Sequence, residues 1–289
     1  MLAAFVCKEL WTISPYMEYG SCDKIIKEGF PLGLPEAAIL LILREVLKAL
    51  DNIHRMGYVH RAVKAHHILI DGNGTVCLTG LRESHCLSPN GYNHVYDFPE
   101  DAVASVPWLA PEVLEQNILG YDYRSDIYSL GITAVEMACG IEPHKNVSAT
   151  QVLLAKLQEN DVNLQNLNDS RLSRTCGASD SGVGDSFGVT RQGRRESVEN
   201  KKFSMLFSEF VDCCLQKEPK NRPSARMLLN HAFLKQAKKK IKRSLPELLL
   251  PVRPQTFENV AISNEEIKTA NVCSVTESLD KLDVSSWNF

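Results

Sequence analysis

The sequence predicts an α+β fold, a helix-rich body with a small β element at its front, and three observations carry that expectation. From Pro35 to Met56 apolar residues recur at three- and four-residue steps, the period of a helix with one buried face. The strand-like runs His67 to Ile70 and Thr75 to Leu78 flank Asp71-Gly72-Asn73-Gly74, a hairpin signal because Asn and Gly tolerate the left-handed turn positions. Residues 9 to 19 are rich in aromatic and β-branched side chains and run into a Gly20-Ser21 break, which reads as a strand.

The other elements follow in order. A short helix is expected from Ser21 to Glu28, then a loop through Gly29-Phe30-Pro31-Leu32-Gly33. Pro35 sits in the first turn of the long helix, where its missing N–H costs nothing, and Gly57 caps the other end. Residues 79 to 107 lack a period and read as loop. Helices are expected from Tyr128 to Ala138, Thr150 to Glu159, Phe203 to Leu215 and Ser224 to Leu234. Residues 166 to 199 are Ser-, Gly-, Asp- and Arg-rich with almost nothing bulky to bury, so an unstructured insert is expected there. From about Pro246 the chain reads as an irregular tail ending in Trp287-Asn288-Phe289.

Composition narrows the function class. The 289 residues carry a formal net charge of −3, so no bulk attraction for nucleic acid or an anionic membrane is expected. Six cations between Lys235 and Arg243 read as a solvated helix end rather than a nucleic-acid patch. Nine scattered cysteines without a Cys-x-x-Cys pair argue against a zinc ribbon and fit a reducing, intracellular setting. The front, Met1 to Cys7, is too short and lacks the basic flank of a secretory signal, and no apolar run approaches a membrane span. A soluble protein is expected.

Several segments then line up in one order. Tyr58-Val59-His60-Arg61-Ala62-Val63-Lys64-Ala65-His66-His67-Ile68-Leu69-Ile70 resembles the catalytic loop of protein kinases. Val106-Pro107-Trp108-Leu109-Ala110-Pro111-Glu112 resembles the end of their activation segment, Tyr121 to Gly131 the entry to the large buried helix of the lower lobe, and Asn221-Arg222-Pro223 its late arginine segment. The resemblance implies a protein-kinase-like fold, mainly the helical lower lobe with a remnant of the upper-lobe sheet. Residues 1–20 would be that remnant and the hinge, 21–234 the lower lobe with an insert at about 166–200, and 235–289 a basic helix end and flexible tail. Glu112 and Arg222 would pair to tie down the activation segment, and Asp126 would accept hydrogen bonds from the catalytic-loop backbone.

The chemical positions differ from the kinase pattern. Phosphoryl transfer needs an Asp that accepts the substrate proton, and an Asn and a second Asp that hold magnesium. By resemblance these positions hold Ala62, His67 and Gly80. A methyl group accepts nothing, and magnesium prefers oxygen to imidazole. A non-catalytic chain without magnesium is therefore expected, with Lys64 a remnant of the phosphate-contacting lysine and Arg82 a cation near the lost metal. No glycine-rich loop or V-A-I-K strand precedes the hinge segment Met17-Glu18-Tyr19-Gly20, so most of the upper lobe is expected to be missing, as in a truncated isoform. The nucleotide pocket would be reduced to backbone groups at Glu18 and Tyr19 and a floor at Leu69, with ATP binding weak or absent.

Within the kinases, the His-Arg-Ala loop, Lys-Ala-x-His-Ile-Leu-Ile and Gly80-Leu81-Arg82 resemble the sterile-twenty-related adaptor pseudokinases, with the beta type the nearer. The resemblance implies an adaptor that binds a partner serine/threonine kinase, the tumour-suppressor liver kinase, as a pseudosubstrate. It would activate that kinase allosterically together with a helical-repeat scaffold protein and favour its cytoplasmic location, the adaptor itself occupying cytoplasm and nucleus. Trp287 and Phe289 would dock on the scaffold, in a tripeptide where Asn288 replaces the family's Glu, and Arg82 and Trp108 would face the kinase. An inhibitor-of-apoptosis protein is a further implied partner. The competing expectations are a weak atypical kinase and a truncated isoform with little independent fold.

Overall fold

The computed structural model describes residues 3–6, 10–87, 94–97, 99, 102–115, 120–145, 147–157, 203–236 and 243–255. The expected insert at 166–200, most of the basic run and the terminal tripeptide lie outside them. At the front, β1 (Ala3–Val6) pairs antiparallel with β2 (Leu10–Ile13), so the expected strand over 9–19 is a shorter one with a partner that the apolar start concealed. A three-stranded sheet then forms in the order β3 (Gly20–Ser21), β5 (Ile68–Ile70), β6 (Val76–Leu78). The β5–β6 turn is the expected hairpin: Asp71 Oδ1 accepts from the amides of Asn73 and Thr75, and Gly74 adopts φ +84°. A second pair joins β4 (Tyr58–Val59) to β7 (His85–Cys86).

Helix α1 (Cys22–Gly29) starts where the Ser21 hydroxyl accepts from the Lys24 amide. Helix α2 (Glu36–Arg55) follows the expected apolar period, with Ile39, Ile42, Leu43, Val46 and Leu50 buried. Pro35 stands at its N-cap, one position earlier than expected, and Gly57 just past its end takes φ +79°. Between 79 and 107 the chain is less irregular than its composition suggests. It contains β7, a 3-10 turn over Leu81–Glu83 and the short α3 (Ala102–Ser105). The activation-segment end forms α4 (Pro111–Leu114).

Helix α5 (Arg124–Cys139) organises the body. It starts four residues before the expected Tyr128, because its first turn is buried through polar groups that an apolar period does not reveal. Every residue from Ser125 to Cys139 is buried, as for a helix enclosed on all sides. One side, with Ile127, Leu130, Ala134 and Met137, joins the main core built with α1, α2 and α7 (Met205–Cys214). The other, with Tyr128 and Ile132, joins a smaller cluster around Trp108, Leu109, Val113 and Val152, the last on α6 (Ala149–Leu157).

The expected helix Ser224–Leu234 is two short ones, α8 (Ala225–Leu228) and α9 (Ala232–Lys235). The break falls at His231, whose extended backbone and ring Nδ1, accepting from the Phe233 amide, start a new helix. The body also runs on into residues expected to be irregular tail. There α10 (Leu245–Leu248) and the turn after it bury Leu245, Leu249 and Val252 in the main core. No helix among the described residues is long and apolar enough to cross a membrane.

Candidate functional site

The loop between β4 and β5 is shaped from beneath by α5. Asp126 is fully buried, and its Oδ1 accepts from the Arg61 amide and its Oδ2 from the His60 amide, both at 2.8 Å. The His54 Nε2 donates to the same Oδ2 at 2.8 Å. Burial alone would raise the Asp126 carboxyl, but the bond and charge of His54 and the neighbouring His60 hold it below the usual carboxylate value. Arg61 pays for its place with φ +65°, uncommon for a residue with a Cβ. Its guanidinium donates to the carbonyl of Glu83 and, at 3.3 Å, to the Tyr121 hydroxyl, which itself donates to the Asp97 carbonyl at 2.7 Å.

Above this frame the three chemical positions meet. His67 Nδ1 lies 2.7 Å from the Ala62 carbonyl, so that nitrogen carries the proton and donates. Burial pushes the His67 ring below its ordinary value, favouring the neutral form. Gly80 adopts φ +87°, and a Cβ on it would stand 2.5 Å from His67 Nδ1. The imidazole therefore fills the space where a side chain at position 80 would begin. His60 is likewise depressed by burial, with Nε2 donating to the Thr79 carbonyl and Nδ1 accepting from the Ala62 amide.

Kinase chemistry implies magnesium here, and the residues do not fit it. Ala62 and Gly80 offer no side-chain oxygen, and the His67 nitrogen nearest to Gly80 is a donor. Among the described residues no group of three or more His, Cys, Asp or Glu is arranged to hold a metal.

The activation-segment end is fastened by a second set of contacts. Arg222 donates to both Glu112 oxygens, at 2.6 and 2.9 Å, and to the carbonyls of Arg124, Gln216 and Lys217. All five of its N–H groups are thus engaged. Lys156, 1% exposed, donates to the Pro107 and Leu109 carbonyls at 2.8 and 2.7 Å. Both cations lie 5.0 Å from the centroid of the Tyr128 ring, so one aromatic serves two buried charges. The sequence reading missed Lys156, since a helical lysine ordinarily signals a solvated face. Lys64 reaches Ser105 at 3.4 Å and the face of Trp108 at 5.5 Å.

Several expected roles change. Trp108 is only 6% exposed, and its indole N–H donates to Glu136 at 2.9 Å, so it belongs to the interior and offers no docking ring. The hinge groups are also engaged: the Tyr19 amide donates to the Ile70 carbonyl, and the Glu18 carbonyl accepts from the Gln255 amide. The Glu18 carboxylate accepts from Gly72 at 2.6 Å. One backbone group of each hinge residue is thus already used within the fold. Leu69 is part-buried in the centre of its sheet, and Arg82 stands exposed on the 3-10 turn. Trp287 and Phe289 lie outside the described residues.

Comparison with known proteins agrees with this architecture. A family profile described as the protein kinase domain matches residues 6–234. STE20-related kinase adapter protein alpha of Bos taurus is 42% identical over 301 residues, 99% of this chain and 80% of the relative. The Gallus gallus alpha protein is 45% identical over 267 residues, 88% of this chain and 69% of the relative. STE20-related kinase adapter protein beta of Homo sapiens is 41% identical over 255 residues, 84% of this chain and 61% of the relative. Values so near one another do not resolve the expected beta type. With nearly its whole length aligned to the bovine relative and a kinase-domain match across most of it, the chain belongs to the protein kinase domain family and, within it, to the STE20-related kinase adapters.

Proposed function

We propose that the chain is a pseudokinase adaptor, one that binds a partner serine/threonine kinase and shifts it towards its active conformer without transferring phosphate itself. The observation that supports this most is the pairing of a blocked chemical centre with an activation-segment end fastened by buried cations. His67 occupies the space beside Gly80, while Lys156, Arg222 and Asp126 hold the surrounding backbone. A segment end held in this way presents a fixed surface, and a fixed surface can favour one conformer of a partner. In this reading the exposed Arg82 contributes to the kinase-facing surface, and Trp287 and Phe289 engage a helical-repeat scaffold. Neither nucleotide turnover nor magnesium takes part, and the complex resides in cytoplasm and nucleus.

Reconstitution tests this. The full chain, the tumour-suppressor liver kinase and the scaffold are mixed, and phosphate transfer to a peptide substrate is followed. Activity should rise within the range of about 5–150-fold typical of allosteric coupling. The rise should shrink when Trp287 and Phe289 are both changed to Ala, and separately with Arg82→Glu. A partner kinase equally active without the chain, or phosphate transfer by the chain alone, would sink the proposal.

A further inference from the structure

Residues 244–255 form a strap from the bottom of the body to the hinge. Leu245, Leu249 and Val252 are buried in the main core. The strap lies in two dimples made by glycines: a Cβ on Gly74 would meet Pro246 Cδ at 2.6 Å, and one on Gly29 would meet Val252 Cγ2 at 2.4 Å. At its far end the Gln255 amide donates to the Glu18 carbonyl at 2.7 Å, and the Gln255 side-chain oxygen accepts from the Tyr16 hydroxyl at 3.1 Å. Glu18 in turn holds the β5–β6 hairpin through the Gly72 amide. Strap, hinge and hairpin therefore meet at one residue.

The strap begins at Ser244, the N-cap of α10, which is exposed like its neighbour Arg243. Its hydroxyl does not accept from a helix amide. Instead it donates to Glu247 Oε1 at 2.9 Å. Pro246 in the first turn removes one of the amides that could otherwise greet an anion. In the sequence Ser244 follows Lys240, Lys242 and Arg243, the kind of basic lead that cation-reading serine kinases use.

We propose that Ser244 is a phosphorylation site whose modification loosens the strap from the hinge. A separate basic-directed serine kinase with ATP supplies the group. The Ser244 Oγ–P bond forms, the bond between the γ-phosphorus and the bridging oxygen of ATP breaks, ADP leaves, and the hydroxyl proton passes to that kinase's base. The product is a near-dianion with no proton to donate to Glu247, facing a carboxylate at hydrogen-bond range. The side-chain contact between Ser244 and Glu247 becomes a repulsive one. This inference rests on the strap geometry and not on the adaptor reading.

The test uses the full chain with phosphoserine installed at 244 during synthesis, and hydrogen exchange read residue by residue. The Leu249, Val252 and Gln255 amides should exchange about tenfold faster than in the unmodified chain, the effect of one such lost contact, while α5 amides stay unchanged. Glu247→Gln in the phosphorylated chain should restore most of the protection. In parallel, mass spectrometry should find Ser244 modified when the folded chain is treated with a basic-directed kinase and ATP. Strap amides that exchange at the unmodified rate despite the phosphate, or a folded chain left unmodified at Ser244, would overturn the proposal.

Discussion

Removing the Glu112 carboxylate tests the fastening of the activation segment most directly. The Arg222 side chain is fully buried and the Glu112 side chain is 11% exposed. Glu112→Ala strips two acceptors from a fully buried guanidinium, and leaves a cation over Tyr128 without its counter-charge. Losing one partner of a buried pair costs about 3–5 kcal/mol, a large share of the roughly 5–15 kcal/mol that holds a domain folded. An exposed pair such as Lys48–Glu45, with side chains 54% and 32% exposed, should cost only about 0–1 kcal/mol when cut. Urea unfolding of the full chain, followed by circular dichroism, measures both. Glu112→Gln, which keeps one acceptor, should fall between wild type and Glu112→Ala. If Glu112→Ala costs no more than Glu45→Ala, the reasoning about burial is wrong.

Two further outcomes are expected. Burial raises the Glu136 carboxyl to about 7, while the bonds from Trp108 and Ala65 oppose the shift, so the folded state keeps a proton that the unfolded chain releases near 4.5. Stability from this group therefore falls as pH rises from 4.5 to about 7, by about 3 kcal/mol at about 1.4 kcal/mol per pH unit. Glu136→Gln keeps an acceptor and cannot ionise, so its stability relative to wild type should climb across that window in urea melts; a constant gap would refute the assignment. Gly80→Asp, which returns a carboxylate to the metal position, should destabilise by about 1–3 kcal/mol because φ is +87° and the His67 ring is in the way. Magnesium should leave its melting temperature unchanged, whereas adding His67→Asn should recover stability; a magnesium-dependent rise in Gly80→Asp alone would contradict the packing.

What could be read in the sequence was whatever repeats or punctuates. Helix α2 shows itself through Ile39, Ile42, Val46 and Leu50, and the β5–β6 hairpin through Asp71 to Gly74. The motif order also named Asp126, Glu112 and Arg222, and the structure joins the last two in one ion pair. Features that depend on distant packing were not legible. Lys156 looks like a surface cation until the carbonyls of Pro107 and Leu109 surround it. Trp108 looks like a docking ring until Glu136, 28 residues away, takes its N–H. Glu18 and Tyr19 look free until Gln255 and Ile70 reach them across the fold. The first turn of α5 escaped because its burial is carried by Ser125 and Asp126, and an apolar period cannot register polar residues whose partners lie elsewhere.

The contact between His67 and Gly80 also bears on the history open to this chain. A carboxylate restored at position 80 collides with the ring, and an asparagine restored at position 67 alone faces a glycine that holds no metal. Each single substitution towards the kinase pattern lowers stability or gains nothing, and Ala62 would be a third position to change. The ring that fills the space beside position 80 thus makes that position one of the most constrained in the loop, leaving variation at the surface as the easier path.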